Sequence, residues 1–137
     1  MELDYEKIRK ERNEKNEFAK NNGISITRVS KGHAIAEMDV DSKKKNPIGT
    51  VHGGCLFTMA DTCAGAAASS HGKWVTTVNA EINYLRAAVN SKHLIAESSE
   101  IKAGKSLIIE DINIHDETGT LLVHATFTFY VLDKKYE

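Results

Sequence analysis

The segment 46–68, NPIGTVHGGCLFTMADTCAGAAA, constrains the fold of this chain more than any other stretch. After a glycine-containing loop it becomes apolar or small-residued, from Leu56 to Ala60 and again from Cys63 to Ala68, as in a helix buried on most sides. Gly53 and Gly54 are unfavourable inside a helix but suit its first turn, where backbone N–H groups have no intrahelical acceptor. Asp61 follows about two turns on. A carboxylate in a buried helix needs a partner or a chemical task.

What surrounds this helix is mostly strand. Residues 2–20 read as a largely solvated helix with thin apolar contacts at Tyr5, Ile8 and Phe18, stopped by Asn21-Asn22-Gly23. From residue 24 to 40 the period changes to two, giving either a hairpin or one long bent strand around Lys31-Gly32. The run Lys43-Lys44-Lys45 reads as a solvated loop or a contact for a phosphorylated ligand. Four further strands are predicted, at 74–86, 91–102, 105–115 and 120–132, with hairpin turns at Gly104-Lys105 and 116–119. In the first, alternation places Val78, Ala80, Ile82 and Tyr84 on one face and Thr77, Asn79, Glu81 and Asn83 on the other. In the last, Leu121, Val123, Ala125, Phe127, Phe129 and Val131 form a continuous apolar face.

Short connections imply antiparallel neighbours, and one helix cannot cover both faces of five or six strands. The expected fold is α+β, a curved antiparallel five- to six-stranded sheet wrapped around a central helix, with an N-terminal helix. Ala60, Ala64, Gly65, Ala67 and Ala68 are expected to let helix and sheet come close. Exposed sheet edges make pairing with another subunit expected.

Size and charge narrow the function classes. The 137 residues suit one domain, and 18 basic against 19 acidic residues leave a formal charge of −1. No global field draws the chain to nucleic acid or an anionic membrane. No charged-then-apolar leader or 18-residue apolar run is seen, so a cytoplasmic protein is expected. Cys55 and Cys63 lie about 12 Å apart by helical rise, too far for a bridge.

Four readings compete for His52, Gly53, Gly54 and Asp61: a purely structural capped turn, a metal site, a phosphate loop and acyl transfer to water. Compact metal-ligand spacing is absent, as is the G-K-[ST] of a phosphate loop. In the fourth reading, helix-end N–H groups at Gly53 and Gly54 stabilise an oxyanion while the carboxylate activates water or attacks. Asp61 is about 12 Å along the helix from Gly53. Either the site is not catalytic or the two groups meet across a two-fold axis.

The elements Asn46, Gly49, His52-Gly53-Gly54 and Asp61, continued by TTVNAEINYLRAA, resemble the hotdog-fold thioesterases of the phenylacetate-pathway-like branch, within the 4-hydroxybenzoyl-CoA thioesterase superfamily. The likeness covers residues 24–132 and implies a hotdog domain at 23–137 after an N-terminal helix at 1–22. It also implies a homodimer with a continuous sheet and shared active sites, often paired again into a tetramer. In such enzymes Gly53 supplies the N–H that polarises the thioester carbonyl, and Asp61 of the facing subunit is base or nucleophile. Asn46 places water or the carbonyl, unless it closes its own turn, and Thr77 contributes a hydroxyl, unless it is an ordinary strand threonine. His52 shapes the loop. Coenzyme A enters as part of the substrate rather than as a cofactor, with Gly54, Arg86, Gly104 and Lys105 as its candidate contacts, and Lys73 and Lys102 as further cations. Phe57 and Leu56 are expected to line the acyl channel. A thiol leaves without a strong general acid, so one carboxylate and an oxyanion donor suffice. An acyl-CoA-binding protein without turnover and a hotdog hydratase or dehydratase are the competing readings.

Overall fold

In the computed structural model, which describes residues 2–136, the N-terminal segment forms two helices, α1 (Tyr5–Lys15) and α2 (Glu17–Asn21). The break falls at Asn16, whose side chain accepts the Ala19 N–H and so starts the second helix. Ile8 is buried, whereas Phe18 is 68% exposed and makes less contact than expected. Residues 24–40 form a hairpin, β1 (Ile24–Ser30) and β2 (His33–Asp39).

Then comes a single 3-10 turn at Ser42–Lys44, followed by helix α3 (Gly53–Ser69). Strands β3 (Lys73–Tyr84), β4 (His93–Ala103), β5 (Leu107–Asp116) and β6 (Leu121–Lys135) complete the chain. The lysine run is not wholly solvated. Lys44 is buried, and its ammonium donates to the Asp39 carbonyl and faces the Asp41 carboxylate at 3.4 Å.

All six strands form one antiparallel sheet in the order β1-β2-β4-β5-β6-β3. The sheet curves around α3 in the hotdog arrangement. Ala60, Cys63, Ala64 and Ala67 are fully buried, and these short side chains let the helix lie close to Ala34, Ala36, Ala96 and Ala125 of the strands. Gly65 does not serve this packing. A β-carbon built there would meet Arg12 of α1 at 2.6 Å, so this glycine makes room for the N-terminal helix.

Two bulges change which residues face the helix. On β3, Thr77 pairs with Phe129 and Asn79 with Thr128, leaving Val78 as an extra residue, 56% exposed. The insertion flips the face, so Thr77 joins Ala80, Ile82 and Tyr84 on the concave side instead of sharing the outer side with Asn79. On β6, Val123 pairs with Ile114 and Leu121 with His115. Leu122 is therefore the buried residue and Leu121 is 40% exposed, so the apolar face is interrupted there.

The two sheet edges differ. On β1, the Asn13 side chain of α1 donates to the Ile26 carbonyl and accepts the Ile26 N–H, both at 2.8 Å, so the helix covers this edge. No strand of the described residues pairs with the outer edge of β3, and Val78, Tyr84 and Leu85 are exposed along it.

Glu110 on β5 is fully buried, with no hydrogen-bond partner for either carboxyl oxygen among the described residues. Burial, with the Glu100 carboxylate beside it, pushes its pKa up to about 9. Because the folded value lies above that of the unfolded chain, folding takes up a proton, and stability declines as pH rises between the two values. Glu110→Gln keeps the neutral shape and removes this titration. Its melting temperature is expected to fall less than that of the unmodified protein between about pH 6 and pH 9. Thermal unfolding of both at several pH values checks this, and parallel curves would exclude it.

Candidate active site

The site begins where the chain enters α3. His52 has extended backbone, φ −61° and ψ 134°, and its Nδ1 accepts the Gly54 N–H at 2.8 Å. His52 is thus the helix cap, and Gly54 has no free donor. The His52 carbonyl accepts from both Cys55 and Leu56, at 2.9 and 3.1 Å. That peptide group carries the Gly53 N–H, which has no acceptor among the described residues and is polarised by the bonds its carbonyl receives. Tyr84, at the end of β3, donates its hydroxyl to the Gly53 carbonyl at 3.0 Å. Its ring lies 3.4 Å from where a Gly53 β-carbon would stand. The strand alternation groups Tyr84 with Ala80 and Ile82 but carries no sign of this contact.

Asn46 uses its side chain within its own loop. Its Oδ1 accepts from Ile48 and Thr50 N–H, and its Nδ2 donates to Thr50 Oγ1 at 2.8 Å. This holds the loop that delivers His52 to the helix start.

Asp61 lies two turns further along α3, about 12 Å from Gly53 by helical rise. Thr77 Oγ1 donates to its Oδ1 at 2.8 Å, a contact made possible by the Val78 bulge. No bond among the described residues reaches Oδ2. Burial pushes the Asp61 pKa above the ordinary carboxylate value, opposed by the Thr77 hydrogen bond and then by the charge of Arg12. A carboxylate with one oxygen fixed, the other open and its basicity raised is suited to accept a proton or attack a carbonyl.

The adjoining Thr62 hydroxyl bonds back to the Thr58 carbonyl and does not support the carboxylate. Of the two expected channel residues, Phe57 is half-buried against Phe127, with ring centroids 5.4 Å apart, and Leu56 is buried in the core. Cys55 and Cys63 are buried free thiols. Among the described residues no group of three or more candidate ligands could hold a metal ion.

The candidate coenzyme A contacts fall at opposite ends of the sheet. Arg86 follows β3 beyond Tyr84, with its N–H on the Leu122 carbonyl. Gly104 and Lys105 form the β4–β5 turn, on the side where Leu107 pairs with Tyr130 and Tyr130 with Thr76. From Thr76 to Tyr84 the strand runs about 26 Å. The sequence left the lysine run between a solvated loop and a phosphate contact. Lys43, Lys44 and Lys45 line a pocket of about 290 Å³ that also reaches Phe18, His52 and Gly54. No helix of the described residues is long and apolar enough to cross a membrane.

The thioesterase superfamily profile matches residues 48–123. Over 116 residues the chain is 34% identical to the 1,4-dihydroxy-2-naphthoyl-CoA hydrolase of Listeria monocytogenes, covering 82% of this chain and 94% of that protein. It is 32% identical over 96 residues to the acyl-coenzyme A thioesterase PaaI of Escherichia coli, covering 70% of this chain and 69% of that one. The structure of the E. coli PaaI protein superimposes with a TM-score of 0.85 at 26% identity, covering 89% of this chain and 88% of the other. A hypothetical thioesterase protein of Streptococcus pneumoniae solved with coenzyme A gives 0.77 at 28% identity, covering 82% and 88%. Fold and likeness agree that the chain belongs to the thioesterase superfamily and has the thioester hydrolase activity of that class.

Thr77→Val keeps the strand shape and removes the hydrogen bond that opposes the rise in the Asp61 pKa. The acid limb of kcat/KM against pH is expected to move to higher pH in this variant. A limb that stays in place would show that Thr77 does not act on the group that titrates there.

Proposed function

We propose that the protein hydrolyses acyl-CoA thioesters to a free acid and coenzyme A at a site shared by two subunits. The Gly53 N–H of one subunit polarises the thioester carbonyl and holds the developing oxyanion. Asp61 of the partner subunit activates water or attacks the carbonyl, and the thiolate of coenzyme A leaves with the electron pair of the broken C–S bond. The observation that carries this reading is the separation of the two groups. An unpaired N–H donor and an open carboxylate lie about 12 Å apart on one helix, and the one uncovered sheet edge runs beside both.

Tyr84 touches Gly53 and Thr77 touches Asp61, both from β3. If two β3 strands pair antiparallel with Tyr84 across from Thr77 of the partner subunit, then with Val78 bulged out of the ladder the centre of the pairing lies at Glu81. Each Gly53 then approaches the partner's Asp61. The same operation brings the Arg86 end of one subunit toward the Lys105 end of the other, which supports placing the coenzyme A phosphates there. A monomer has no such arrangement. Phe57, one turn past Gly53 and tilted against Phe127, is placed to contact an apolar acyl group. The similarity to hydrolases named for aryl- and acyl-CoA substrates favours turnover over binding alone.

Two variants test the shared site. Gly53→Pro removes the donor at the first helical position, where proline fits and the extended His52 is compatible with a following proline. It is expected to lower kcat by about 100- to 1,000-fold, and Asp61→Asn by at least about 100-fold. Both are read by thiol release from a panel of acyl-CoAs. When the two inactive variants are mixed and allowed to exchange subunits, half of the dimers combine one of each and carry one intact site. About a quarter of the unmodified activity should return. No recovery despite verified exchange would place donor and carboxylate in the same chain. Tight acyl-CoA binding without thiol release from the unmodified protein would leave a binding protein instead.

A further inference from the structure

Arg12 of α1 reaches across to α3 and is not used by the site as described so far. Its Nη1 donates to Ser69 Oγ at 2.9 Å and to the Tyr136 hydroxyl at 3.0 Å. Its Nη2 lies 2.6 Å from where a Gly65 β-carbon would stand, so the guanidinium rests directly on the helix backbone. Asp61, Gly65 and Ser69 are spaced by four residues and form one stripe along α3. The guanidinium therefore occupies the next turn of the stripe that carries the carboxylate, about 6 Å further along the axis.

Two features show that this arginine is not merely a surface anchor. Its Nε is buried with no hydrogen-bond partner, and Nη2 finds no acceptor among the described residues. Donors therefore remain undischarged in the wall beside Asp61. The other groups around the carboxylate carry no competing charge. Thr77 on β3 is neutral, Phe129 on β6 presents its ring edge to Gly65, and the Cys63 thiol of α3 is buried on the sheet side. Lys15 and Lys134 lie over the Trp74 ring at 5.3 and 5.1 Å, with Arg12 over the same ring at 5.9 Å. Among the described residues, Arg12 is the one charged side chain whose field reaches Asp61.

We propose that Arg12 is a positioning residue for the reaction: from the N-terminal helix it supplies the positive charge that keeps the Asp61 carboxylate ionised in a desolvated site. This rests on the assignment of Asp61 as base or nucleophile. Burial alone drives a carboxyl toward its neutral form, which neither accepts a proton nor attacks, and a fixed cation one turn away opposes that drift. Arginine suits the task because its planar fork lies flat on the helix, bonded to Ser69 and Tyr136, while its charge stays. The N-terminal helix is then part of the active site, and Gly65 is the residue that admits it.

The test is kcat/KM against pH for the unmodified protein, Arg12→Met, Arg12→Lys, Gly65→Ala and Asp61→Asn. Arg12→Met is expected to move the acid limb to higher pH, lowering kcat/KM about tenfold near pH 6 and far less near pH 9. Arg12→Lys should restore most of the loss. Gly65→Ala, which keeps the charge but pushes the guanidinium off its seat, should move the limb in the same direction by less, and serves if Arg12→Met does not fold. An unmoved limb, or a uniform loss at every pH, overturns the inference. Asp61→Asn separates the two possible failures. If it retains the unmodified rate and limb, the assignment of Asp61 falls and the role of Arg12 with it. If it abolishes turnover while Arg12→Met leaves the limb in place, only the role of Arg12 falls.

Discussion

The structure depends on the close approach of one alanine-rich helix to a curved sheet. Ala60, Cys63, Ala64 and Ala67 have no exposed surface, and the strand residues they meet are themselves often alanine. Because the side chains are short, α3 sits deep enough for a threonine on the edge strand to reach a carboxylate on the helix. Larger residues at these positions would push helix and sheet apart, and a hydrogen bond of 2.8 Å between Thr77 and Asp61 would not survive the displacement. Core packing and site geometry are thus one constraint rather than two.

The same helix supplies two electrically opposite features at different heights. Its first turn presents an N–H group that its own cap leaves free, because His52 takes the Gly54 N–H and not that of Gly53. Two turns later, a carboxyl is held in a place that favours its neutral form, with a hydroxyl and a guanidinium working against that tendency. A single subunit cannot bring these features to one atom. Under the proposed shared site, pairing of subunits would be where the fold and the chemistry depend on one another, and the bulged strand β3 would take part in both.

Much of this was legible in the residues. The apolar run with its paired glycines marked α3, the alternation marked the strands, and helical rise alone separated Gly53 from Asp61. What was hidden had specific causes. Strict alternation separates Thr77 from the face of Ala80, Ile82 and Tyr84, because one inserted residue at Val78 is invisible to a period of two. Gly65 read as a sheet-packing residue because its neighbours are alanines, and nothing local shows that a side chain 53 positions earlier lies on it. The burial of Lys44 has no sequence signal because a lysine run reads as solvated, whereas here the 3-10 turn aims the middle ammonium inward at a carbonyl. Tyr84 and Arg12 are contacts between elements distant in sequence, and composition carries no trace of such contacts.

The treatment of the first strand has a consequence for assembly. Asn13 answers both the N–H and the C=O of Ile26, so the backbone at that end offers no template to an incoming strand. A sheet open at both ends can add copies indefinitely, head to tail, and grow into a fibre. Here one terminus is already capped from within the chain, so the proposed pairing at the other would exhaust the capacity for growth. The polar side chain of an N-terminal helix thereby acts as a chain terminator at this edge of a structure rich in long strands.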